Sequence, residues 1–137
     1  MIKKSLLFSL LAIILFACNN ETKKRPETAL DTGRAFIRAS LDGDFETTQQ
    51  LLLKDTQNLQ LFESYKRYYQ RMDAKTKKNY KDASYEINKY LDVDDSTTII
   101  NYSNNYMNKP IEIKVVRRDK LWFIDFKYIS SGNLPID

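Results

Sequence analysis

The apolar residues of this chain change their spacing near Ser84, and this change limits the folds open to it. From about residue 28 to residue 81, apolar side chains recur every three or four positions, which is the spacing of one helix face. After Ser84 they alternate with polar residues, the pattern of a half-buried strand. Helices followed by strands predict an α+β domain in which the helices cover one face of the sheet.

Three helices are predicted in the first part of the chain. The first covers about 28–41, because a capping-box-like motif begins it and Gly43 supplies a stop. A short second helix begins at Asp44, a good N-cap residue. A longer third helix covers about 56–81, although its apolar pattern weakens after Asp73, where the helix can break.

Four strands in a meander are predicted in the second part, with turns at 94–96, 108–110 and 118–120. Such short connections favour antiparallel pairing of neighbouring strands. Alternation gives the first strand one face with Tyr85, Ile87 and Leu91, and the last strand one face with Trp122, Ile124, Phe126 and Tyr128.

The first 17 residues have the pattern of a bacterial signal peptide. Lys3 and Lys4 precede the apolar stretch 5–17, which is too short to span a bilayer as a helix. The stretch ends Leu15-Phe16-Ala17-Cys18, which resembles the lipobox of bacterial lipoproteins. The resemblance implies cleavage before Cys18 and a lipid on its sulfur; the alternative is an ordinary signal peptide with a leftover cysteine.

This interpretation divides the chain into a signal peptide (1–17), a lipidated cysteine with a polar tether (18–26) and one domain (27–137). Cys18 is the only cysteine, so an internal disulfide is excluded. The expected location is the bacterial cell envelope, anchored in the outer membrane with the domain on its periplasmic or surface side.

Composition argues against several classes of function. Loss of Lys3 and Lys4 with the leader leaves 20 basic residues against 18 acidic ones, so a nucleic-acid partner is not expected. The chain has no histidine, the commonest general base and metal ligand. The acidic turn 92–96 lacks the glycine and the downstream glutamate of a calcium loop, and three dispersed glycines form no phosphate cradle. We therefore assign no metal and no cofactor.

The domain resembles the nuclear transport factor 2-like superfamily, in particular its small lipoprotein members. Three features carry the resemblance: the helix junction Leu41-Asp42-Gly43-Asp44-Phe45-Glu46, the order of helices before sheet, and the closing strand Lys120-Leu121-Trp122-Phe123-Ile124-Asp125. The resemblance implies a cone, in which three N-terminal helices pack on a curved four-stranded antiparallel sheet with a cavity at the wide end. The alternative fold is a cystatin-like helix on a sheet.

Members of this superfamily include ketosteroid isomerases, dehydratases and polyketide cyclases, together with many non-catalytic binding domains, so the fold does not choose a function. The catalytic members use an Asp or His that faces the cavity. Here strand alternation points Asp125 to solvent, away from Trp122, Ile124 and Phe126. No motif of the catalytic members matches this sequence, so we assign no catalytic residues to it.

Aromatic residues supply the candidate lining of the cavity. The tyrosines of the third helix suit either ligand stacking or core packing, and core packing is the simpler explanation. We expect Trp122 to pack against the helical aromatic stripe, so that its truncation would cost ~3–5 kcal/mol. The candidate pocket residues are Phe36, Phe62, Tyr65, Tyr69, Trp122 and Phe126.

The segment 66–81 carries seven basic residues and only one acid, Asp73, which fits an anionic partner or a solvated helix face. Taken together, the sequence predicts a membrane-anchored, non-catalytic domain that binds a small apolar or sugar-like ligand or an envelope protein. The alternatives are an enzyme of the ketosteroid-isomerase or dehydratase type and a structural subunit of an envelope assembly. The oligomeric state is left open.

Overall fold

The computed structural model describes residues 23–130 and, of their side chains, those of 23–129. The predicted signal peptide and Cys18 lie outside the described residues. The elements follow in the order α1 (Ala29–Asp42), α2 (Phe45–Leu51), α3 (Thr56–Gln70), α4 (Ala74–Asp82), β1 (Tyr85–Asp94), β2 (Thr97–Asn104), β3 (Ile111–Arg118), β4 (Leu121–Ile124) and α5 (Phe126–Ser130). None of the helices in this part of the chain is long and apolar enough to cross a membrane.

Within the described residues four helices precede the sheet, so the prediction of three for this segment was wrong. The segment predicted as one long helix is divided at 71–73. Arg71 caps the end of α3, and the Asp73 side chain accepts a hydrogen bond from the backbone N–H of Thr76 at 2.7 Å. An aspartate that satisfies a free N–H group favours a new helix start over continuation of the old helix.

The junction between α1 and α2 requires a glycine. Gly43 has φ = 69°, in the left-handed region, and its N–H bonds to the last carbonyls of α1. A Cβ atom at this position would lie 2.5 Å from Oη of Tyr69. Both the backbone conformation and the close approach of a ring from α3 therefore exclude a side chain here.

The four strands form one antiparallel meander in the order β1-β2-β3-β4, as predicted. A bulge at Asn88 shifts the register of β1 by one residue, so Leu91 pairs with Ile99 instead of facing inward with Ile87. The predicted common face of the first strand is therefore wrong beyond the bulge. The end of β1 projects past the helices, and Leu91 is 63% exposed.

The last strand is shorter than predicted. It ends at Ile124, and Phe126 and Tyr128 lie in α5, so the expectation that they share a strand face with Trp122 was wrong. The chain leaves the sheet because the buried side chain of Asn58 accepts a hydrogen bond from the backbone N–H of Lys127 at 2.8 Å. The bond satisfies a backbone N–H group at the start of α5, and its acceptor comes from the distant helix α3.

The core lies between one face of the sheet and the helices. Helix α1 packs closely on the sheet, since a Cβ atom at Gly33 would lie 2.4 Å from Cδ1 of Ile100. The largest fully buried side chain is Phe62 of α3. Around it the buried apolar residues include Phe36, Ile37, Leu52, Ile100, Ile113, Val115, Ile124 and Phe126. Trp122 is only half-buried at the margin of this core.

We predict that Phe62→Ala lowers the free energy of unfolding by ~3–5 kcal/mol, because it removes a completely buried ring and leaves a cavity. The effect is measured by urea denaturation, with Gln57→Ala at an exposed position of α3 as the control. We expect a smaller loss for Trp122→Ala. A Trp122→Ala variant that is less stable than Phe62→Ala would contradict this description of the core.

Candidate functional site

A cavity of about 170 Å³ lies between the helices and the inner face of the sheet. Its lining is mainly apolar and comes from α1, α3, α4, α5, β2, β3 and the turns beside them: Ser40, Leu41, Leu61, Ser64, Tyr65, Tyr68, Met72, Tyr80, Tyr102, Asn104, Met107, Ile111 and Phe126. Sequence-distant segments therefore meet at one place.

Helix α3 supplies one wall of the cavity through the helical repeat. Leu61, Ser64, Tyr65 and Tyr68 follow a spacing of three and four residues, so their side chains share one face of α3. Tyr68 is exposed, whereas Phe62, on the adjoining face, is completely buried. One face of α3 therefore lines the cavity, and the adjoining face enters the core.

Phe126 of α5 closes the inner end of the cavity. Its ring meets the rings of Phe62 and Tyr65 at centroid distances of 5.6 and 5.9 Å, and it also meets Phe36 edge-on at 6.4 Å. These offset and edge-to-face geometries are favourable for aromatic pairs. The cavity floor is therefore held by an interlocked aromatic cluster.

Two phenol groups that are buried in the lining have no hydrogen-bond partner among the described residues. They belong to Tyr65 and Tyr102, and burial raises the pKa of both well above the ordinary value for tyrosine. Oγ of Ser40 is also buried without a partner in this part of the chain. Hydroxyl groups that bond to no neighbour are available to a polar atom of a ligand or to water.

Asn104 adds a further donor. Its Oδ1 accepts hydrogen bonds from the backbone N–H groups of Tyr106 and Met107, at 3.1 and 2.8 Å, which shapes the β2–β3 turn. Its Nδ2 donates to no other residue in the described part of the chain, and the residue is almost completely buried. At the same turn, Oη of Tyr80 donates to Sδ of Met107 at 3.4 Å.

Among the described residues, no acidic or basic side chain belongs to this lining. Arg67 contacts the lining from outside, because it donates from Nη2 to Oγ of Ser64 at 3.0 Å. The basic residues of α3 and α4 are partly neutralised, since Lys66 pairs with Glu63 at 3.0 Å and Lys78 pairs with Asp82. The interior of the cavity is therefore polar only through neutral groups.

The structure separates the six residues expected to line a pocket. Tyr65 and Phe126 line the cavity, and Phe36 and Phe62 lie behind it in the core. Tyr69 instead packs on Phe45 at a centroid distance of 5.0 Å. Trp122 lies on β4 with its ring 5.8 Å from the Arg117 guanidinium, outside the cavity lining.

Other lining residues were not identified from the sequence. Tyr102 carried a usable signal, because strand alternation places it on the inner face with Ile100. Met72 also carried a signal, because it continues the apolar repeat of the predicted third helix. Tyr80 and Met107 carried none, since they come from a short polar helix and a turn. Only the packing of α4 against the β2–β3 turn, where the rings of Tyr80 and Tyr106 meet at 4.8 Å, brings them to the cavity.

Asp125 does not point freely to solvent, contrary to the expectation. Its side chain is only 13% exposed and lies 3.8 Å from Nζ of Lys114 and 3.5 Å from Nζ of Lys127. Its position between β4 and α5 is outside the cavity lining. Within the described residues, no group of three or more Asp, Glu, Cys or His side chains is placed to hold a metal ion.

Compared with protein-family models, with curated proteins and with solved structures, the chain has no significant match.

We predict that the stability of the domain falls as pH rises above about 10, the ordinary pKa of tyrosine. In the folded state Tyr65 and Tyr102 keep their protons beyond this pH, whereas in the unfolded chain they release them, so alkali favours unfolding. Urea denaturation at a series of pH values measures the slope.

In the variant Tyr65→Phe the free energy of unfolding should fall less steeply as pH rises above about 10. At neutral pH its stability should stay within ~1 kcal/mol of the wild type, because the hydroxyl that is removed has no partner among the described residues. Tyr90→Phe, at a tyrosine that is 54% exposed, is the control and should keep the original slope. If the free energy of unfolding falls with pH equally steeply in Tyr65→Phe and the wild type, the buried phenol of Tyr65 is not a cause of the loss.

Proposed function

We propose that this chain is a membrane-anchored lipoprotein of the bacterial cell envelope whose domain binds a small, mainly apolar ligand in the tyrosine-lined cavity. The observation that carries the binding function is the cavity itself, which combines apolar walls with buried neutral hydroxyl groups and, among the described residues, no charged side chain. Such a combination is typical of sites that hold a ligand by shape and a few hydrogen bonds.

The size of the cavity limits the ligand. A dry, apolar cavity of roughly 150 Å³ in another protein binds benzene, so about 170 Å³ accepts one ring or a short branched chain. Tyr65, Tyr102 and Asn104 each offer a hydrogen-bond donor, which favours a ligand with an oxygen acceptor. The mainly apolar lining favours such a ligand over a sugar, whose hydroxyl groups would lose water without replacement.

Binding is favoured over catalysis by the electrostatics of the lining. A general base of the ketosteroid-isomerase type needs a carboxylate or an imidazole in contact with the substrate. Burial raises the pKa values of the lining residues Tyr65 and Tyr102, so both phenols remain protonated at neutral pH. The nuclear transport factor 2-like cone remains part of the proposal, supported by an antiparallel meander covered on one face by helices and by a cavity between the layers.

The anchoring proposal predicts that Cys18→Ser releases the protein into the soluble fraction or leaves it unprocessed, because no sulfur remains to carry the lipid. Cell fractionation and the mass of the mature N-terminal peptide measure the two outcomes. A conservative change one turn into the domain, Thr28→Ser, is the matched control and should leave the protein in the membrane. Unchanged attachment and processing in Cys18→Ser would refute lipidation.

The binding proposal predicts that p-cresol, a phenol of one ring, enters the cavity. The chain has three methionines, and two of them, Met72 and Met107, line the cavity. Their ¹³C-labelled methyl groups should therefore both shift in NMR spectra as p-cresol is added, with saturation.

The variant Ser64→Phe should abolish these shifts, because it places a ring within the cavity wall. The matched control is Gln57→Phe, at an exposed position of the same helix outside the lining, and it should bind as the wild type does. Shifts that persist unchanged in Ser64→Phe would place the binding of p-cresol elsewhere.

A further inference from the structure

The start of the described chain is fastened to the edge of the sheet by Arg25. Its guanidinium donates from Nη2 to the carbonyl oxygen of Trp122 at 2.8 Å and from Nη1 to that of Gln50 at 3.0 Å. The same group lies 4.4 Å from the centroid of the Phe123 ring. Arg25 had been assigned to the polar tether, but it is part of the folded domain.

This contact fixes where the membrane anchor joins the domain. Seven residue steps separate Cys18 from Arg25, and a fully extended chain covers roughly 25 Å in that number of steps. If Cys18 carries the lipid, as proposed above, the edge strand β4 can be no farther than this from the lipid headgroups. The inference below rests on that part of the proposed function.

The β3–β4 hairpin at this edge has the composition of a lipid-contact surface. Arg118 and Lys120 are exposed on either side of the exposed Asp119, and Leu121 is 45% exposed beside them. Together with the exposed Arg117, the tip keeps an excess of positive charge. The half-buried ring of Trp122 follows, with Arg117 beside it. Basic groups next to an exposed leucine and a tryptophan suit the boundary between an anionic headgroup layer and the acyl chains.

We propose that this hairpin surface, formed by Arg117, Arg118, Lys120, Leu121 and Trp122, docks on an anionic lipid surface and sets the orientation of the domain on the membrane. The exposed side chain of Lys23 extends the positive charge toward the anchor. Each basic residue near such a surface strengthens the attraction, and the tether keeps the surface within reach.

The acidic β1–β2 turn limits the tilt of the domain. Asp94 and Asp95 lie at the same end of the sheet, because the carbonyl of the adjacent Ser96 accepts a hydrogen bond from the N–H of Arg117 at 2.8 Å. Strand β2 lies two strand spacings from β4, roughly 10 Å, which is about one Debye length at moderate salt. Repulsion of this turn by anionic lipid therefore favours contact through the β4 edge.

Docking in this way turns the cavity away from the membrane. Asn104 and Met107, at the β2–β3 turn, belong to the cavity lining. In an antiparallel meander the β2–β3 turn and the β3–β4 turn lie at opposite ends of the sheet. The ligand of the cavity therefore enters from the aqueous phase and not from the bilayer to which the protein is attached.

The test uses the only tryptophan of the chain as a reporter. The full lipoprotein is reconstituted into phosphatidylcholine vesicles with or without phosphatidylglycerol, each containing phosphatidylcholine brominated near the headgroup as a quencher. We expect Trp122 fluorescence to be quenched in the anionic vesicles and less quenched in the neutral ones, with the difference reduced by added salt. Equal, weak quenching in both kinds of vesicle would overturn the proposal.

Two charge-matched double variants test the surface itself. Arg118→Gln with Lys120→Gln should lower the ratio of docked to undocked domain roughly 25-fold, which is the expected effect of removing two charges near an anionic surface. Lys75→Gln with Lys81→Gln removes the same charge from exposed positions on α4 and should leave the quenching unchanged. An equal loss in both double variants would indicate general attraction and overturn the assigned surface.

A separate measurement distinguishes failure of the anchor from failure of the surface. Mass spectrometry of the N-terminal peptide reports whether Cys18 is lipidated. If it is not, the anchoring proposal fails, and the same vesicles are added to a chain that begins at Asn19 and retains all of the described core. Quenching of Trp122 there would support the surface, and its absence would overturn it.

Discussion

The hydrogen-bond network around Asn58 determines where the sheet ends and where the cavity begins. Asn58 is completely buried, and its amide donates to Asp55 at 2.9 Å while its oxygen accepts from the N–H of Lys127. Asp55 also accepts from Nζ of Lys127 at 2.8 Å. Bonds from the Asn58 backbone and the Lys127 ammonium lower the pKa of Asp55. The network binds the start of α3 to the start of α5, so Phe126 enters the helical layer instead of extending β4.

The local part of this fold could be predicted from the sequence, because local rules determine it. Thr28, Asp44 and Asp55 cap helices as their positions suggest, and each side chain accepts a hydrogen bond from a residue three positions on. The order of the strands and their antiparallel pairing follow from short turns. What could not be predicted depends on distant partners: the exit of the chain from β4 at Ile124 requires Asn58, which is remote in sequence.

The candidate site shows the same division. Tyr65 could be found from the helical stripe of α3, since the face of a helix is readable from spacing alone. Phe126 was predicted to lie on the last strand, but it reaches the cavity from α5. Its ring does lie beside Tyr65, although the strand position that was expected to bring it there is wrong. Trp122 was expected in the same cluster, but alternation along β4 cannot show that the cavity lies at the other end of the sheet.

Neutral groups lie at the cavity end of the sheet, and charged groups lie at the hairpin end. This difference connects the binding proposal with the docking proposal. At the cavity end the described lining groups are neutral, and burial raises the pKa values of Tyr65 and Tyr102 because a phenolate there would lose its water. At the hairpin end the charged groups stay in contact with water, where they attract a surface at little desolvation cost. In the docking proposal, the bond from Arg25 to β4 brings the hairpin end to the membrane and holds the neutral end away from it. A ligand that is apolar enough to enter the cavity must then reach it through water, which favours a small, sparingly soluble molecule over a membrane lipid.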